Sequence, residues 1–148
     1  MPLKISAKVD AVDREYHETV IKPLLDHPLI EFLGECGDRE KNELLGNAAA
    51  LLFPIDWPEP FGLAMIEAMA CGTPVVAYRK GSVPELVDDG VTGRIVDNLK
   101  EAVKAVQAIG TISRRGCYEA FQRRFSSARM GRDYVHLYRQ LLKLDLAA

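Results

Sequence analysis

Between residues 48 and 78 the chain reads as strand, helix and strand in direct succession, and that order leaves few folds open. Ala48 to Phe53 is an unbroken apolar run, the pattern of a central parallel strand covered on both faces. Phe61 to Cys71 follows as an apolar helix with a single charge, Glu67, and Gly72-Thr73-Pro74 leads into a second apolar strand, Val75 to Tyr78. The same alternation extends both ways. Leu3, Ile5, Ala7 and Val9 alternate with polar residues as in a half-buried strand. Val12 to Leu25 reads as a helix ended near His27-Pro28, and Leu29 to Leu33 as a short strand closed by Gly34. Asp38 is expected to cap a helix running to about Asn47. Beyond Tyr78, Ser82-Val83-Pro84-Glu85 fits a capping box, and Asp89-Gly90 and Gly93 punctuate a turn before a strand from Arg94 to Val96. Three helices close the chain, Leu99 to Ile109, Ser113 to Arg124 and Ser127 to Leu144. Strands alternating with helices predict an α/β fold, an open parallel sheet flanked by helices.

At 148 residues there is one domain's worth of chain, and 48% hydrophobic with 27% charged residues is ordinary globular composition. A net charge of −2 gives no pull toward nucleic acid. Cys36, Cys71 and Cys117 are odd in number and widely spaced, which suggests reduced thiols and a cytoplasmic protein. His17, His27 and His136 form no metal-ligand pattern with them, and Asp56 has no second carboxylate at useful spacing, so no metal is expected. The first ten residues lack an apolar stretch of signal-peptide length, and the run from Ala48 to Ile55 is far too short to span a bilayer. From Thr111 to Lys143 eight arginines or lysines face only Glu119 and Asp133. That excess suits either a solvated helix face or peripheral contact with an anionic surface on the inner side of the membrane.

In an open α/β sheet, ligands collect outside the carboxyl ends of the strands. The segment from Pro54 to Gly62 lies at such an end, and Pro54, Pro58 and Pro60 stiffen it. Gly62 lets a ligand approach the backbone, and the amides of Phe61, Gly62, Leu63 and Ala64 at the helix start would face an anion such as a diphosphate. Glu67 falls roughly 7–9 Å further along the axis, about the reach from a diphosphate to its ribose. A carboxylate has two acceptor oxygens and suits a vicinal diol. Glu59, across the helix mouth, could hold hydroxyls of a sugar on the distal phosphate.

The run Glu59-Pro-Phe-Gly-Leu through Glu67-Ala-Met-Ala-Cys-Gly-Thr-Pro-Val-Val, followed by Gly81-Ser-Val-Pro-Glu85 and Asp89-Gly-Val-Thr-Gly93, closely resembles the donor-binding domain of two-domain retaining glycosyltransferases. These are the GT-B enzymes of glycosyl transferases group 1, of the glycogen synthase and mannosyltransferase type. The resemblance covers nearly the whole chain and implies a Rossmann-like domain over residues 1–148. It implies that Glu59 contacts the donor sugar as the catalytic-site acid. It further implies that Glu67 binds the ribose, that the amides after Phe61-Gly62 hold the diphosphate, and that Gly34, Glu35 and Cys36 border the nucleobase. The substrate would be a nucleoside diphosphate sugar, with no further cofactor. Two features of the family have no counterpart: the first strand with its Gly-Arg and later Lys that clamp the diphosphate, and the acceptor-binding domain. The chain therefore reads as truncated at its N-terminus and inactive alone. The strand missing from between Leu3–Val9 and Ala48–Phe53 leaves a gap to be closed, left open or filled by a second copy, giving a homodimer.

Other readings of the same residues stay open. Glu67 could pair with Arg79 or Lys80, Glu59 could be a solvated turn residue, and Ser82 with Glu85 could be a helix cap. Met65, Ile66, Met69 and Ala70 read as core, Arg79-Lys80 as a solvated basic loop, and Trp57 as a stacking ring or a loop anchor. At the level of function the alternatives are a non-catalytic binding or self-association module, and a sugar-nucleotide epimerase or phosphorylase of related fold.

Overall fold

The computed structural model describes residues 1–145, which divide into two units, Met1–Glu43 and a second that begins at Leu44. In the first, β1 (Leu3–Ser6) and β2 (Ile30–Gly34) pair in parallel, Leu3 opposite Ile30 and Ile5 opposite Phe32. Parallel neighbours need a long crossover. Here it is a helical stretch over residues 11–25, α1. It passes from a 3-10 turn (Ala11–Asp13) through an α-turn (Arg14–Tyr16) and a π-turn (His17–Ile21) to a last α-turn (Lys22–Leu25). The Lys22 amide bonds the carbonyl of His17, five residues back. This wide turn ends two residues before Pro23, whose ring would clash with the carbonyl four positions earlier in a regular α-helix. Lys4 and Glu31 pair across the outer face at 2.9 Å. No residue of this unit is fully buried.

The helix α2 (Asp38–Asn47) follows, and the division between the units falls within it. Asp38 is its first residue rather than its cap: its carboxylate meets Lys41 at 3.4 Å, while Glu40 accepts from the Gly37 amide at 2.9 Å. The second unit is built on a parallel sheet of order β3-β4-β5, with β3 at Leu51–Phe53, β4 at Val75–Tyr78 and β5 at Gly93–Val96. Between them come α3 (Leu63–Ala70) and α4 (Val83–Leu86), and after them α5 (Leu99–Gln107), a 3-10 turn at Ile109–Thr111, α6 (Arg114–Arg124) and α7 (Ser127–Asp145). The core gathers around β4. Val75, Val76 and Ala77 are buried with Met65, Ala68 and Met69 of α3 and Cys117 and Ala120 of α6. Burial pushes the Cys117 thiol above its ordinary value, and none of the three cysteines is bridged.

Several boundaries differ from the sequence expectation. The run Ala48–Phe53 is neither central nor covered on both faces: only Leu51–Phe53 is strand, among the described residues it pairs with β4 alone, and Leu52 is 43% exposed. The preceding alanines carry the chain off α2, Ala48 donating to the carbonyl of Leu45. The first strand stops at Ser6, where the register slips against Gly34, instead of reaching Val9. The helix expected from Phe61 starts at Leu63, because Gly62 has φ +79°. The helix expected to reach Ile109 ends at Gln107 and passes into the 3-10 turn.

Candidate functional site

The loop from Pro54 to Gly62 leaves the carboxyl end of β3 and delivers Glu59 to the mouth of α3. Its shape is held by the segment after β4. The Ser82 amide donates to the carbonyl of Glu59 and the Ser82 hydroxyl to the carbonyl of Phe61, both at 2.9 Å. Ser82 is therefore a tie between loops, which corrects its reading as the side-chain cap of a helix; it makes no such bond to α4. Gly81, at φ +49°, is where the two loops touch. A Cβ there would stand 2.3 Å from the Glu59 oxygen and 2.5 Å from its nitrogen, so only glycine fits. Lys80 adds an ion pair to Asp56 at 3.3 Å, and Arg79 pairs with Asp97 at 3.3 Å. Trp57 is 59% exposed beside this frame.

The four amides named from the sequence divide into two pairs. Those of Gly62 and Phe61 donate to Glu59 Oε1, at 3.0 and 3.4 Å, so a carboxylate already lies on them. Those of Leu63 and Ala64 are the first two of α3 and have no carbonyl four residues back within the helix. Both pairs lie at the positive end of the helix dipole. Glu67 sits on the same helix, half-buried and in polar contact, about 7.5 Å along the axis from Gly62 at 1.5 Å per residue. Glu59, Phe61, Gly62, Leu63, Ala64 and Glu67 are thus one continuous piece of loop and helix. Gly34, Glu35 and Cys36 belong to the other unit, at the carboxyl end of β2, where Gly34 turns the chain at φ +72°. Among the described residues no group of three or more His, Cys, Asp or Glu is placed to hold a metal ion.

Two arginines that sequence patterning did not single out complete the frame. Arg114 donates to the carbonyls of Ala48 (2.6 Å), Gly46 (2.7 Å) and Cys71 (3.4 Å) and to the Thr73 hydroxyl (2.9 Å), tying the end of α2 to the exit of α3. Arg124 donates to the carbonyls of Glu85 and Leu86 and to Asp88, holding the end of α4. Their partners lie 36 or more positions away, beyond the reach of any local pattern.

The family described as glycosyl transferases group 1 matches residues 11–123. An alpha-maltose-1-phosphate synthase of Mycobacterium tuberculosis is 34% identical over 113 residues, 67% of this chain and 29% of that protein. Among solved structures, a sucrose-phosphate synthase from Thermosynechococcus elongatus superposes with a TM-score of 0.79 at 26% identity, covering 96% of this chain and 39% of the other. The Anabaena protein Alr3699/HepE, crystallised with UDP and glucose, superposes at 0.75 with 21% identity over 93% of this chain and 40% of its own, a likeness of fold. The chain therefore spans well under half the length of each of these relatives.

Proposed function

The chain belongs to glycosyl transferases group 1, and we propose on that basis that it is the donor-binding part of a retaining glycosyltransferase. Its substrate is a nucleoside diphosphate sugar, and the acceptor is a hydroxyl compound held by residues outside this chain. The observation that carries the reading is the Glu59 carboxylate resting on the amides of Phe61 and Gly62. An anion is already accommodated at the helix mouth, which is what a diphosphate requires. In the bound state the diphosphate takes the amides of residues 61–64, Glu59 turns out to the hydroxyls of the donor sugar, and Glu67 accepts from the ribose. As the bond between the anomeric carbon and the diphosphate breaks, negative charge builds on the departing phosphate, where fixed amides and the helix dipole stabilise it best. The acceptor oxygen bonds to that carbon on the face the diphosphate leaves, and its proton passes to the leaving phosphate. The chain alone binds donor and does not transfer it.

Calorimetric titration with UDP, GDP and ADP tests this. One of the three should bind, and Glu67→Gln should weaken it by about tenfold, the order expected for a charge-assisted hydrogen bond. Glu59→Ala separates the two acids. Without its internal competitor the protein should bind the bare nucleoside diphosphate more tightly and lose the added affinity for the sugar-bearing form. Equal binding by wild type and Glu67→Gln removes Glu67 from the ribose, and no binding of any of the three sinks the donor assignment.

A second reading, self-association, is favoured by a separate observation. Among the described residues β1 pairs only with β2 and β3 only with β4, so each leaves one edge open.

A further inference from the structure

We infer that Ser82 is the positioning residue of the anion site at the mouth of α3: its hydroxyl sets the direction in which the Gly62 N–H meets a phosphate oxygen. The identity of that anion, a nucleoside diphosphate, rests on the donor reading above; the rest follows from the geometry of one peptide group. That group joins Phe61 to Gly62. It is trans, so its C=O and N–H point to opposite sides. The Ser82 hydroxyl donates to the C=O at 2.9 Å, and on the far side the N–H donates to Glu59 Oε1 at 3.0 Å. A side chain from another loop thus grips one end of a peptide whose other end holds an anion.

A peptide in this position needs such a grip. Gly62, at φ +79°, has no Cβ to resist rotation of the group about the chain. Phe61 is 54% exposed, so packing of its ring does not anchor the group. The carbonyls on either side are held from elsewhere: that of Glu59 takes the Ser82 amide at 2.9 Å, and that of Gly62 takes the Met65 amide at 3.1 Å. For the peptide between them the hydroxyl does this. Ser82 is itself buried and tied through its own amide, so the hydroxyl starts from a fixed place. Donation to the carbonyl also polarises the peptide and makes its N–H a stronger donor. Without the hydroxyl, a half-buried carbonyl loses its partner and turns toward water, carrying the N–H away from the anion.

Ser82→Ala tests this, because it removes the hydroxyl and keeps the amide tie to Glu59 that joins the two loops. In the ligand-free chain the Gly62 amide proton should move upfield at least half as far as it does in Glu59→Ala. The amides of Ala68 and Met69, further along α3, should stay in place. Titration with whichever of UDP, GDP and ADP the unaltered chain binds should show about tenfold weaker binding by Ser82→Ala, the loss of one well-aimed hydrogen bond to a charged group. An unmoved Gly62 resonance, shifts of equal size along α3, or unchanged affinity overturns the assignment. Failure of the unaltered chain to bind any of the three sinks the donor reading instead. The Gly62 resonance, read without ligand, then still decides whether Ser82 directs the amide.

Discussion

Arg114 shows how much of this structure rests on single side chains reaching far along the sequence. Its guanidinium gathers three carbonyls and a buried hydroxyl, and a lysine in its place offers a point charge where a planar fork is needed. Arg114→Lys should lower the unfolding free energy by about 2 kcal/mol, the net of several partly solvated charge-assisted bonds. Urea denaturation checks this, and a change below half that size would mean that water satisfies the same carbonyls. Nothing around Arg114 in the sequence announces this role, because its partners lie in the segments ending α2 and α3. Glu59 and Glu67 were legible, since two acids eight positions apart around an apolar helix start are unusual in themselves. What the spacing could not show is that Glu59 Oε1 lies on the amides of its own loop, because a rotamer is chosen by the folded surroundings and not by the neighbours in sequence.

Among elements, β3 and β4 make the most instructive pair. Both are short apolar runs, and the longer run, Ala48–Phe53, looks the more deeply buried. Yet centrality falls to β4, whose Val75 is 0% exposed while Leu52 of β3 is 43% exposed. Hydrophobicity along a segment reports that it meets a core, not how many strands flank it, and flanking is decided by pairing across long separations. Helix and strand identities were otherwise legible from periodicity, and α1 was legible as helical but not in its π-turn. The same comparison predicts how stability is spread. A two-stranded sheet with no fully buried residue opens easily, whereas amides in a central strand under two layers do not. Hydrogen exchange should release the amides of β1 and β2 at least about a hundredfold faster than those of β4, a difference of roughly 3 kcal/mol in local opening. Equal protection would show that β1 and β2 are fastened more firmly than their burial indicates.

At the scale of the whole molecule, the exposed surface is as informative as the core. Along α7, Met130, Tyr134, Leu137, Tyr138 and Leu141 recur at helical spacing and are 47–57% exposed. An exposed apolar stripe of this kind would give the proposed self-association a surface. Sedimentation velocity between micromolar and hundred-micromolar protein should show reversible self-association, and Tyr138→Glu with Leu141→Glu should abolish it. A chain monomeric throughout that range would count against the self-association reading. No helix among the described residues is long and apolar enough to cross a membrane. The family, the alternation of strands and helices and the order of motifs could all be read from sequence, while the division into two units could not. That division depends on which strands find partners, and no local pattern encodes it. The Glu59 carboxylate has one more effect on the free protein. Tethered within its own loop, it confronts the helix mouth at an effective concentration on the order of millimolar or above. Stray phosphate and sulfate, which grip nothing else, are outcompeted there, whereas a ligand with a second handhold elsewhere on the protein is not.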